Sequence, residues 1–272
     1  MSQEMRVLRI GLIGFGKAGK AVAEVLQEHP EMDLAWIVRR SPPSPTDPLP
    51  HLQQTCLTPT DYAQLFEHQP VDALVDFSSP DSITLYGRAA AARGIAIVSA
   101  NSAHNEEQLA LARELGRSTR VLCSPNITLG INFLLIAAKV LRKIAPWADT
   151  AIVEEHFRDK YEISGTAKRL AHAIDFDEDK ITSLRLGGVV GHHEVVFGFP
   201  NQTVRLIHDS ISRRAFGTGA VFALQRLQTQ GIGFFQLEQL MLQHVIAELT
   251  RETHELHEIH EIPLQHSDSP LA

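Results

Sequence analysis

Two rhythms of apolar and polar positions alternate along this chain. Residues 6–14, RVLRIGLIG, are an apolar run that reads as a strand, and residues 15–19 as a tight turn. Residues 17–28 then carry a helical rhythm through Ala21, Val22, Val25 and Leu26. The pattern predicts further strands over 33–38, 71–77, 95–99 and 120–123, and helices over 82–93 and 106–115. Residues 41–48, SPPSPTDP, are too rich in proline for either and predict a loop. The run VDALVDF at 71–77 is apolar almost throughout, as befits a strand covered on both faces. Strands alternating with helices imply an α/β fold with a Rossmann-like, doubly wound parallel sheet over about residues 1–125, and the glycine-rich turn after its first strand, Gly14-Phe15-Gly16-Lys17-Ala18-Gly19, makes it a candidate dinucleotide-binding domain.

Past Pro125 the rhythm changes. Residues 128–145 predict a long apolar helix, 148–155 a strand and 166–174 a helix. Between 181 and 208, alternating and β-branched runs broken by glycine and proline predict antiparallel strands with hairpin turns. The second domain, 126–212, is therefore expected to be mixed α+β. Helical patterns at 214–228 and 235–249 imply that a C-terminal helical segment, about 213–249, returns to complete the first domain. Residues 250–272 predict a polar tail, irregular from Thr253 onward.

Composition narrows the function classes. At 272 residues the chain can build a sizeable core, and its net charge of −7 argues against nucleic acid or an anionic membrane surface as a partner. A small anionic substrate remains compatible, since a cleft can carry local positive charge. The two cysteines, Cys56 and Cys123, form no Cys-x-x-Cys and fit a reducing cytoplasm. The N-terminal apolar run leads into glycines, not into a cleavage site, and the longest later run, 131–141, is broken by Asn132 and Lys139; no membrane span is expected. No metal site is expected either. The tail histidines His254, His257 and His260 lack partner cysteines and drift around a helix, and His192-His193 reads as a strand-turn feature.

Chemistry concentrates in four places. Gly14-Phe15-Gly16-Lys17-Ala18-Gly19 follows a strand and opens a helix. The first glycine suits a tight turn, the second close approach of backbone to a pyrophosphate, the third helix–strand packing; the helix N-terminus favours the phosphate charge. The next strand ends in Arg39-Arg40 with no acid, which suits a ribose 2′-phosphate and so NADPH ahead of NADH. Asp76-Phe77-Ser78-Ser79-Pro80 ends the third strand, where Phe77 and Ser78 face the cofactor crevice of such a sheet. Finally, EEHFRDKYEISGTA at 154–167 places His156 at a strand end, Lys160 four residues on, and Ser164-Gly165-Thr166 at a helix start. The N–H groups near Gly165 and Thr166 could hold a carboxylate, Lys160 could pair with another, and His156 or Lys160 could deliver a proton. The same residues also serve a plain capped strand-to-helix connection.

With these motifs in this order, the chain resembles the dihydrodipicolinate reductases of lysine and diaminopimelate biosynthesis, over about residues 8–245. The supporting residues also include Ser124-Pro125-Asn126, Gly130, Asn132 and Phe216-Gly217-Thr218-Gly219-Ala220. The resemblance implies an NAD(P)H-dependent reductase of a cyclic imino dicarboxylate. It implies His156 and Lys160 as the catalytic pair, Ser164, Gly165 and Thr166 as the substrate turn, and Ser99, Asn101, Ser124 and Asn126 near the cofactor. It further implies a homotetramer whose second domain binds substrate and assembles the oligomer. This chain departs from the family pattern at a few points. Phe157 stands where the family has a second, substrate-binding histidine. One residue is missing between Lys160 and Ser164, and the glycine turn is spaced GxGxxG. Two other readings stay open: a diverged relative reducing another imine or a 2-oxo acid, and a non-catalytic NADP-binding protein.

Overall fold

The computed structural model describes residues 7–40, 54–56 and 61–260; the proline-rich 41–48 lies outside them. The first part of the chain builds β1 (Leu8–Ile13), α1 (Lys17–Glu28), β2 (Met32–Arg39), β3 (Gln54–Cys56) and α2 (Tyr62–His68). Then come β4 (Ala73–Asp76), α3 (Ser82–Ala91), β5 (Ala96–Ser99), α4 (Glu106–Leu115) and β6 (Arg120–Cys123). The boundaries of α1, α4 and β6 coincide with those the periodicity predicts.

The middle and end of the chain build α5 (Leu129–Ile144), β7 (Asp149–His156), α6 (Gly165–Ala173), β8 (Thr182–Arg185), β9 (His192–Phe199) and β10 (Gln202–Asp209). They close with α7 (Arg214–Gln228), β11 (Gly233–Phe235) and α8 (Leu237–His260).

The first sheet has seven strands in the order β3-β2-β1-β4-β5-β6-β11, all paired in parallel. A parallel sheet needs cover on both faces, and two apolar cores provide it. Successive residues of a strand face opposite sides. So β1 sends Ile10 and Leu12 toward Val22 and Leu26 of α1 and Leu224 of α7, and Ile13 to the opposite core with Phe66 and Ile83. Gly217 lets α7 lie against Val25 of α1: a Cβ there would meet the Val25 side chain at 2.5 Å.

The second sheet has the order β10-β9-β7-β8. Its inner face packs under α5 and α6 around Ile152, Val195, Phe197, Leu134 and Leu170. Helix α5 serves both sheets, with Ile136 in the first sheet's core and Leu134 and Leu135 in the second's.

Three expectations need correction. β8 is not part of an antiparallel meander; it pairs in parallel with β7, with His156 opposite Arg185. The chain's return to the first sheet is a helix, a strand and a helix, because β11 adds a seventh strand beside β6. The last helix does not stop near Leu249 but continues to His260, through residues that the polar pattern assigns to an irregular tail.

Candidate active site

The β1–α1 turn is set by backbone proximity. Gly14 has φ +96°, and a Cβ there would lie 2.7 Å from the Phe77 carbonyl and the Ser78 nitrogen. The turn after β1 and the turn after β4 therefore touch. Gly19 is packed as closely, its Cβ position being 2.1 Å from the Gly14 oxygen. Gly16 is different. It caps α1 without any side-chain hydrogen bond, and nothing lies within 4 Å of its Cβ position. The first-turn amides of α1, from Lys17 and Ala18 on, thus border open space, which fits the pyrophosphate of a dinucleotide.

That space is a crevice of about 430 Å³ lined by Gly14, Phe15, Gly16, Arg39, Arg40 and Phe77, among others. The Arg39 guanidinium lies 5.0 Å from the centre of the Phe15 ring, held at the crevice edge. Asp76, fully buried, ties the opposite wall. Its carboxylate accepts from the Ser78 amide at 2.9 Å, the Ser78 hydroxyl at 2.5 Å and the Tyr86 hydroxyl at 3.0 Å. Burial pushes its pKa above the usual carboxylate value, against the pull of those hydrogen bonds.

A second cleft, about 650 Å³, opens at the carboxyl ends of β5 and β6. Asn101, Ser124, Asn126, Gly165 and Thr166 line it together. Ser124 Oγ donates to the Asn126 carbonyl at 2.6 Å, and Asn126 Nδ2 reaches Thr166 Oγ1 at 3.4 Å, so the loop after β6 meets the start of α6. Ser99 is buried beneath, bonded to His104 Nε2 at 2.8 Å and accepting from Asn101 Nδ2 at 3.2 Å.

The segment after β7 is organised by Glu154, whose side chain is wholly buried. One carboxylate oxygen bonds His156 Nδ1; the other accepts from Ser183 Oγ and from Arg185 Nη2 at 2.8 Å. Arg185 also donates to the Lys160 carbonyl at 2.6 Å and the Glu162 carbonyl at 2.9 Å, pinning the loop to β8. Burial would raise the Glu154 pKa, but the hydrogen bonds from Arg185, Ser183 and His156 outweigh it and hold it below the usual value. Burial lowers the His156 pKa, and Glu154 offsets this only in part. The favoured state at neutral pH is thus an ionised Glu154 and a neutral imidazole that donates through Nδ1. Its Nε2 points toward Gly191, 3.2 Å from that residue's Cβ position.

Behind this pair stands His193, buried on β9, whose Nε2 lies 2.8 Å from Ser164 Oγ. Ser164 also accepts from the Ala167 amide at 3.0 Å, as the N-cap of α6. The His193 and His156 rings meet edge to face at 5.3 Å. Burial, then the neighbouring His156 and His208, lowers the His193 pKa to about 3. Lys160 is half-buried and Phe157 is 45% exposed, and neither lines either cleft. Among the described residues, no cluster of three or more His, Cys, Asp or Glu side chains could hold a metal ion.

Sequence reasoning missed Arg185, Ser183 and His193. Only His193 left a signal there, since alternation along β9 turns it inward with Val195 and Phe197. No local pattern in the sequence marks Arg185 as the partner of Glu154.

Both clefts open at the carboxyl ends of one parallel sheet, where doubly wound folds receive nucleotides and the compounds they react with. The chain is an NAD(P)H-dependent oxidoreductase of the Rossmann type. Residues 8–127 match the family model described as dihydrodipicolinate reductase, N-terminus, and residues 127–241 the one for its C-terminus. The chain belongs to the dihydrodipicolinate reductase family.

Relatives include the 4-hydroxy-tetrahydrodipicolinate reductase of Caldanaerobacter subterraneus subsp. tengcongensis, 31% identical over 83% of this chain and 94% of that one. Another, from Nitratidesulfovibrio vulgaris, is 30% identical over 80% of this chain and 92% of its own. Among solved structures, dipicolinate-bound dihydrodipicolinate reductase from Paenisporosarcina sp. TG-14 superposes with a TM-score of 0.73. It is 20% identical and covers 86% of this chain and 99% of that one. At that identity the likeness is one of fold. No helix among the described residues is long and apolar enough to cross a membrane.

Proposed function

We propose that this chain reduces a cyclic unsaturated imino dicarboxylate of the dihydrodipicolinate type with NADPH. The observation that carries the reading is the cleft where Ser124 and Asn126, at the end of the nucleotide-binding sheet, meet the exposed start of α6 at Gly165 and Thr166. An anion on those amides would lie next to the sheet's ligand-binding edge. NADPH, when bound, supplies a hydride to an electron-poor carbon. Gly165 and Thr166 hold one substrate carboxylate and orient the ring. His156, whose Nδ1–H is held by Glu154, orients the substrate through Nε2 and gives up a proton there after taking one from solvent to become the imidazolium, and Lys160 contributes positive charge near the same group. Arg39 and Arg40, with no acid at the end of β2, favour the 2′-phosphate of NADPH over NADH.

The same reading divides the chain near residue 125, with residues from about 213 to 249 returning to the nucleotide domain. It takes the working form to be a cytoplasmic homotetramer assembled through the second domain.

The purified protein should oxidise NADPH on addition of freshly made dihydrodipicolinate. His156→Gln should slow turnover by about 100-fold, the scale of lost general acid catalysis. Turnover only on another imine or a 2-oxo acid would replace the substrate part of this reading. Phe157, standing where the family pattern has a histidine, is the observation that favours that second possibility.

A further inference from the structure

Arg169 lies on α6 four residues after Gly165 and three after Thr166, so all three share one helix face. Helical side chains lean toward the N-terminus, so the arginine reaches back toward the turn amides. It lines the 650 Å³ cleft with Thr166 and Asn126, and the same three residues line the small void beside it. The guanidinium is half-buried, and among the described residues it makes no hydrogen bond or ion pair. Glu238, which acts on it electrostatically, is engaged by Lys139 at 2.5 Å. Burial pulls the Arg169 pKa down, and the charge of Glu238 offsets this only in part. The cleft's other arginine, Arg113, rests 5.7 Å over the Phe234 ring.

We infer that Arg169 binds the second carboxylate of the substrate, with the Gly165 and Thr166 amides taking the first. The inference rests on the dicarboxylate reading above. Helix amides neutralise one charge, and a planar guanidinium beside them answers another with two parallel hydrogen bonds. This gives the chain a cation for the substrate although Phe157 cannot provide one. Arg169 thereby acts as a specificity-determining residue.

The test measures binding and turnover separately. Wild type, Arg169→Met and Arg169→Lys are titrated calorimetrically with dipicolinate and with picolinate, its monocarboxylate, in the presence of NADPH. Wild type should prefer dipicolinate. The methionine variant should lose ~10- to 100-fold in dipicolinate affinity, the worth of hydrogen bonds to a charge, and bind picolinate as before. The lysine variant should recover part of the preference. With dihydrodipicolinate, KM should rise in parallel while kcat changes by less than ~3-fold, as for uniform binding. NADPH affinity and the thermal midpoint should not move.

If the methionine variant keeps the full preference for the dicarboxylate, the inference about Arg169 is overturned while the functional reading stands. If wild type binds dipicolinate but reduces another compound, the substrate reading falls and the binding comparison still decides the role of Arg169. If wild type binds neither compound, both fall.

Discussion

The crevice at the first sheet and the histidine cluster at the second are built on opposite principles. The first is a backbone site. Gly14 and Gly16 shape it, helix amides offer the charge, and its geometry follows from how closely two turns approach. The second is a side-chain site, in which a buried carboxylate collects an imidazole, a hydroxyl and a guanidinium from two strands and ties down a loop. A backbone site fails by steric clash. A buried ionic site fails by desolvation, when one member is removed and the rest stay behind.

The comparison is broken most sharply at Gly14. Gly14→Ala adds a Cβ at positive φ against the Phe77 backbone, and should cost ~4 kcal/mol from strain and overpacking together, read from the urea midpoint. Nucleotide binding should fall with it. Arg185→Met is next. It leaves Glu154 buried with only His156 and Ser183, and should cost ~3 kcal/mol in the same measurement. A loss well under 1 kcal/mol would mean the Glu154 network is not what holds the loop.

A smaller effect separates the regions by pH. Folded His193 resists protonation down to about pH 3, whereas an unfolded histidine protonates near 6.5. Its contribution is complete above pH 6.5 and is lost as pH falls from there toward 3. His156 and His208 are shifted in the same direction. Stability should therefore drop below pH 6.5 in the wild type, and His193→Gln should remove ~1.4 kcal/mol per pH unit of that slope, read from urea titrations between pH 8 and 5. Smallest is the change at the crevice edge. Arg39→Gln should reduce the preference for NADPH over NADH by ~10-fold, ~1.4 kcal/mol, with little effect on folding. An unchanged ratio of the two KM values would remove Arg39 from cofactor selection.

These differences also explain what the sequence reveals. Glycine spacing is local, so the β1–α1 turn and its neighbours in the parallel sheet are legible from a few residues. Apolar runs such as VDALVDF announce a two-sided sheet in the same way. The pairing of β8 is not local. Thr182-Ser183-Leu184-Arg185 alternates as a hairpin strand would, and only the long return through α6 makes it parallel to β7. Arg185 is invisible for that reason, since its partner lies 31 positions earlier. β11 has three residues, too few for any rhythm to register. The tail misleads because polarity resembles irregularity, although glutamate, leucine and arginine favour a helix by intrinsic propensity alone.

The parallel pairing of β7 with β8 has a consequence for how the enzyme can change. His156 and Arg185 sit opposite one another in the ladder, so the stretch between them is a crossover whose two ends are anchored on adjacent strands. Such a segment is an exchangeable cassette. Two departures from the family pattern, Phe157 and the missing residue before Ser164, fall inside this segment, while Glu154, His156 and Arg185 stand at its base. On the roles proposed above, proton transfer rests on the anchored base and substrate choice on the segment between, so one could be revised while the other is kept.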